Sequence, residues 1–170
     1  QKKQDLISYK IEKNKNEFIF EKVFKINKNP FLIELLNYQK KDDSELIIRF
    51  NGQKNKKGEI FIKSASLVEE KNKIEINNIF FDENFRLENF DNINLDYVDK
   101  DDKRNLVKIY KKKKKYSLRG DYFNSDNLIQ NILFSDEETN YFSKDFKIEL
   151  NIKKVRLDDE FQLNNLEGDL

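Results

Sequence analysis

Four segments hold the side chains with the most scope for chemistry: Asp82-Glu83-Asn84, Asp99 with Asp101 and Asp102, Asp158-Asp159-Glu160, and the run Lys111 to Lys115. The second fails as a calcium loop, because Lys103 and Arg104 stand where an oxygen ligand and the obligatory Gly belong. Asp158 or Glu160 can in principle supply a glycosidase carboxylate. Acids recur at the matching point of an earlier segment, however, where a hairpin turn alone accounts for them. The lysines, flanked by Tyr110 and Tyr116, suit phosphates, stacked bases or anionic headgroups. The favoured reading is simpler, a solvated loop between strands, since no second basic patch supports nucleic-acid binding. With no His and no Cys, the usual proton shuttle, the most potent nucleophile, zinc-thiolate sites and disulfides are all missing. Serine-hydrolase signatures and phosphate-cradling glycine loops are absent too. The expectation is a protein that is not an enzyme, with no metal and no cofactor.

Something must still position these clusters. Hydrophobic residues are 37% of the chain and charged residues 38%, close to the polar limit of what folds compactly, but 13% aromatic content supplies large areas for burial. A chain of 170 residues suits one domain with a real core. The net charge of +1 gives no overall field to recruit nucleic acid or an anionic membrane. There is no apolar run of transmembrane length and no signal-peptide pattern. Starting at Gln1 and stopping in mid-pattern at Leu170, residues 1–170 read as a single β-rich segment cut from a longer protein.

Short two-residue periodicity predicts antiparallel strands. Phe18, Phe20, Phe24 and Ile26 share one parity, as do Leu46, Ile48 and Phe50, and Ile60 and Ile62. Turns are predicted at Lys40 to Ser44, Asn51 to Gly58 and Val98 to Arg104. The stretch from Asn29 to Leu36 fits a short helix or a strand opening on Pro30, with strand preferred. Ser125 to Phe134 predicts a helix, with Ser125 as N-cap and Leu128, Ile129, Ile132 and Leu133 on one face.

Two segments repeat. At an offset of 76, Ile76 matches Ile152, Ile79 matches Val155, and Asp82, Phe85 and Leu87 match Asp158, Phe161 and Leu163. In both, apolar parity flips across a polar pair, Asn77-Asn78 or Lys153-Lys154, as at a β-bulge. The acidic cluster then makes a hairpin turn. Repeated hairpins mark a sheet that grows by adding units. Its apolar side needs a cover: the sheet either folds over into a closed core or leaves a trough open to acyl chains.

The stretch from Tyr116 to Leu170 resembles the AsmA-like family of bacterial envelope proteins. The resemblance rests on Leu118-Arg119-Gly120, the Ser125–Leu133 helix, the alternating strand Phe146–Ile152, and Phe161-Gln162-Leu163-Asn164-Asn165-Leu166-Glu167-Gly168. Upstream, KGEIFIKSASL and FRLENFDNINL are similar to the same family's repeating strands. Asn124 departs from the Asp that often opens the family's helix. The resemblance implies a periplasmic β-groove, tied to the inner membrane of a Gram-negative bacterium by an anchor outside these residues, that conducts phospholipid toward the outer membrane.

The combined expectation is a mainly β fold, a long curved antiparallel sheet (a taco-like groove or a folded-over sheet) with one short helix near 125–134. Its partners would be phospholipid acyl chains and, through the anchor, a membrane, with no nucleic acid. Ile74, Ile76, Phe85, Leu87, Ile148, Leu150, Ile152, Phe161 and Leu163 are expected to face inward and bind lipid. The rival is a non-catalytic scaffold or protein-interaction β-domain with a closed core; a carbohydrate-active domain using Asp158 or Glu160 is weaker.

Overall fold

The computed structural model describes residues 4–134 and 142–169, with backbone alone at 132–134. The strands are β1 (Leu6–Lys13), β2 (Glu17–Ile26), β3 (Leu32–Ile33), β4 (Tyr38–Gln39), β5 (Leu46–Asn55), β6 (Ile60–Glu69), β7 (Asn72–Phe81), β8 (Leu87–Asn89), β9 (Asn92–Val98), β10 (Arg104–Lys112), β11 (Lys115–Asn124), β12 (Ile148–Arg156) and β13 (Gln162–Asp169); the helix is α1 (Asp126–Phe134). One large sheet runs β1-β2-β5-β6-β7-β9-β10-β11-β12-β13, with β8 beside β7, and β3-β4 form a separate pair. The fold is mainly β with a single short helix, as the periodicity predicts. The sheet does not close into a barrel, so β1 and β13 are its edges. Pairing is antiparallel throughout except between β11 and β12, which α1 joins as a crossover.

Turn chemistry sets the hairpins. Asn55, Asp82 and Asp99 each open the same three-residue loop: the amide three residues on donates to the opening residue's carbonyl, and that later residue adopts positive φ, at Gly58 (96°), Phe85 (60°) and Asp102 (57°). In each, the Asx side-chain Oδ1 accepts the amides two and four residues on. Asp158 Oδ1 likewise accepts the Glu160 and Phe161 amides at 2.8 and 2.7 Å. The predicted turn at Asn51 to Gly58 is therefore narrower: Asn51 to Asn55 complete β5, and only the residues after Asn55 reverse the chain. The lysine run is the two-residue turn Lys113-Lys114 with its flanking strand ends.

Parity flips where the sequence predicts. On β7 the apolar side passes from Ile74 and Ile76 to Ile79 and Phe81, around Asn78 at φ 52°. On β12 it passes from Ile152 to Val155; there the left-handed residue is Asn165 on the partner strand, at φ 52°. The bulge at Asn51/Gly52 brings backbones so close that a Cβ on Gly52 would lie 2.3 Å from the Phe61 carbonyl oxygen. Gly52→Ala is expected to cost about 1–3 kcal/mol through this overpacking, read as a lowered melting temperature.

The Asn29–Leu36 stretch resolves as neither prediction alone: β3 is followed by a 3-10 turn, Glu34–Leu36, closed by Asn37 at φ 53°. It is held over the sheet by Tyr97, whose hydroxyl donates to the Leu36 carbonyl at 2.7 Å, and by edge-to-face packing of Tyr38 on Tyr97. Ser125 occupies the N-cap of α1 by backbone, its carbonyl accepting from the Ile129 amide. Its hydroxyl instead donates to the Arg156 carbonyl, and Asn124 Oδ1 accepts the Asp126 amide. Leu128 packs on the core, while the predicted face residues Ile132 and Leu133 lie outside the described side chains.

Candidate functional site: an apolar trough

Register carries two apolar rows across all ten strands. The first is Ile7, Phe24, Ile48, Leu67, Ile74, Leu95, Val107, Gly120, Ile152 and Leu166, each paired with the next. The second is Tyr9, Lys22, Phe50, Ala65, Ile76, Ile93, Ile109, Leu118, Leu150 and Gly168. At ordinary strand spacing the rows extend roughly 40 Å. Lys22 alone interrupts them with a charge, and its long stem can lie along the apolar surface with the ammonium in water.

Two covers treat the rows differently. Phe31, Ile33, Leu36, Tyr38 and Leu128 sit over the first row, which is buried through the middle of the sheet. Beyond the second row, Phe90, Tyr116 and Phe146 form a separate cluster with Ile79, Tyr116 stacking on Phe90 at 4.3 Å. Between the covers the second row is the floor of a slot. Phe50, Ile76, Ile93, Ile109, Leu118 and Leu150 are half-buried, and Ile93 and Ile109 touch both clusters. A cavity of 150 Å³ opens there, lined by Phe31, Ile33, Ile48, Phe50, Leu67, Ile74 and Ile76. At the flanks no cover sits over Ile7, Tyr9 and Ile11 on β1, which are 65, 73 and 57% exposed.

Of the residues expected to face inward, Ile76 and Leu150 lie on the floor, and Ile74 and Ile152 on the adjoining buried row. Ile148 and Leu87 pack half-buried in the second cluster, whereas Leu163, paired with Val155 at the β13 edge, is 42% exposed. Phe85 does not face inward: it is the left-handed residue of its turn, 63% exposed, with its ring under the Lys54 ammonium. Phe161, just past its own turn, is 62% exposed. Both follow the acidic cluster directly, so the turn and not strand parity sets their direction. Phe50, whose parity with Leu46 and Ile48 the sequence shows, completes the floor with Ala65, Ile93, Ile109 and Leu118; the alternation of Ile93, Leu95 and Tyr97 carries the same signal.

The acids prove to be structural fasteners. Asp99 Oδ1 receives the Asp101 and Lys103 amides, and Oδ2 receives Asn105 and Asn124 side-chain N–H groups at 3.1 and 3.0 Å. Glu69 is fully buried, a position periodicity alone did not mark. Its carboxylate accepts the Tyr38 hydroxyl at 2.7 Å, the Lys41 amide at 2.8 Å, Asn72 Nδ2 at 3.1 Å, and the Ser44 hydroxyl. Burial works to raise its pKa, but the bonds from Ser44, Tyr38, Lys41 and Asn72 outweigh it and hold the carboxyl below its ordinary value of 4.5. Burial, with Glu69 beside it, pushes the Tyr38 hydroxyl well up. Among the described residues no acidic group is arranged to hold a metal ion, and no helix is long and apolar enough to cross a membrane.

An open, one-sided β-sheet with an apolar slot is thus the class the geometry defines. No family model, curated protein or solved structure matches the chain.

Proposed function

We propose that this chain is a non-catalytic segment of an inner-membrane-anchored periplasmic protein, and that its apolar trough carries phospholipid acyl chains toward the outer membrane. The observation that carries this reading is the floor row, apolar over ten strands except at Lys22 and half-exposed between two covers. The resemblance of Tyr116 onward to the AsmA-like family supports the envelope setting. Transfer is passive: acyl tails lie along Phe50, Ile76, Ile93, Ile109 and Leu150 while headgroups stay in water. Each methylene removed from water contributes roughly 0.8 kcal/mol, so a few are enough for weak, reversible holding.

A charge on the floor tests it. Leu150→Asp is expected to abolish retention of a fluorescent fatty acid, while Leu150→Met preserves it, with circular dichroism confirming that both fold. Retention by folded Leu150→Asp at the original level would defeat the reading. A second reading, an envelope scaffold with a closed core, is favoured by the complete burial of Tyr38, within the β3-β4 cover, and of Leu46 in the same core cluster. It predicts no lipid retention by any of the three proteins.

A further inference from the structure

Most hairpin turns segregate by charge although the chain is nearly neutral; the acidic Asp82-Glu83 turn, which carries Phe85, is an exception and lies beside the Lys56-Lys57 turn. At one end of the strands lie the turns Lys56-Lys57 and Lys113-Lys114, joined by Lys147 next to β12, all exposed. At the other end lie Asp42, Glu70, Asp101-Asp102 and Asp159-Glu160, at the turns after β4, β6, β9 and β12. Glu149 and Asp169 neutralise Lys115, and Glu149 also reaches Lys112. Among the described residues no ion pair engages Lys113, Lys114 or Lys147. The side chains of Lys112 to Lys115 and Lys147 border one open surface depression. Two exposed aromatics share this end: Phe85 at its turn, and Phe142, which bridges to Leu87 and packs on Phe146 beside Tyr116.

We propose that this lysine-bearing end docks on an anionic membrane surface, Lys113, Lys114 and Lys147 meeting phosphate headgroups while Phe85 and Phe142 enter the interface. A bilayer surface fits better than an isolated anion: the charges are spread over turns several strands apart, and the aromatics between them add the apolar contact that interfacial binding uses. The excess of basic turns at one end also fixes orientation, presenting one mouth of the slot to the bilayer. The docking does not rest on acyl chains occupying the slot, and Leu150→Asp, which removes lipid retention, is expected to leave it unchanged.

The test is flotation of the intact chain with vesicles of phosphatidylcholine alone or mixed equally with phosphatidylglycerol. Partition is expected only with the mixed vesicles and is expected to fall as salt rises. Lys113→Gln with Lys114→Gln is expected to weaken it about 30-fold, from about 1 kcal/mol per lysine near such a surface. Lys71→Gln with Lys100→Gln removes the same charge from the opposite end and is expected to change partition less than about twofold. Equal loss in both pairs, no loss in the first, or equal partition onto neutral vesicles would overturn the proposal. So would salt-sensitive capture of a single-stranded oligonucleotide without vesicle partition.

Discussion

Glu69→Ala is expected to destabilise the protein strongly and to lower its melting temperature. The substitution leaves the buried Tyr38 and Ser44 hydroxyls and Asn72 amide group, and the part-buried Lys41 amide, without their acceptor. Each stranded donor costs about 1–3 kcal/mol, so the total reaches roughly 4 kcal/mol or more even without full additivity. Against total stabilities of about 5–15 kcal/mol, such a loss is a large fraction. The first structural consequence is release of the β3-β4 cover, because Tyr38 and the Lys41 amide are its fastenings to the end of β6. Glu69→Gln keeps one oxygen and is expected to lose less. The pH dependence follows from the lowered carboxyl. A group whose folded-state pKa lies below its unfolded value stabilises at pH above the unfolded value, and that contribution disappears as pH falls through the folded one. Wild-type stability should therefore drop as pH goes below about 4.5, with a shallower drop in Glu69→Gln; urea melts at stepped pH measure both.

The second large effect is expected at Asp99. Its two oxygens bind the β9-β10 turn to itself and to Asn105 and Asn124, at the point where β11 ends and the crossover helix begins. Asp99→Ala is expected to cost about 3 kcal/mol, since four donors lose a charged acceptor. The diagnostic is hydrogen exchange: protection should fall first at the Asp101, Lys103 and Asn124 amides, while the Gly52 region keeps its own. Uniform loss across the sheet would instead mark a global effect with no local fastening.

Strand parity alone carries much of this architecture. The flips at Asn77-Asn78 and Lys153-Lys154 are visible because one buried face forces Ile and Val to one side, and any extra residue must show as a break in alternation. The acidic turns are visible because Asx side chains reach their own backbone wherever they stand. Both signals are local. The covers are not, and nothing in the period of Phe31, Ile33 and Leu36 or of Phe142 and Phe146 states which strands they lie over. Glu69 and Asp99 were hidden for a related reason. Each sits in a run of charges that reads as solvated, and only long-range partners such as Tyr38 and Asn124 convert it into a buried anchor. The basic end was hidden as well, because Lys56-Lys57 and Lys147 are far from Lys113 in the chain and come to one end of the sheet only through the strand order.

Native mass spectrometry of the chain purified without added lipid tests the trough most directly. Phospholipid adducts that leave on collisional activation, present in the wild type and absent in folded Leu150→Asp, are the predicted result. A bare polypeptide mass for the wild type, with no uptake of added phospholipid, would contradict it.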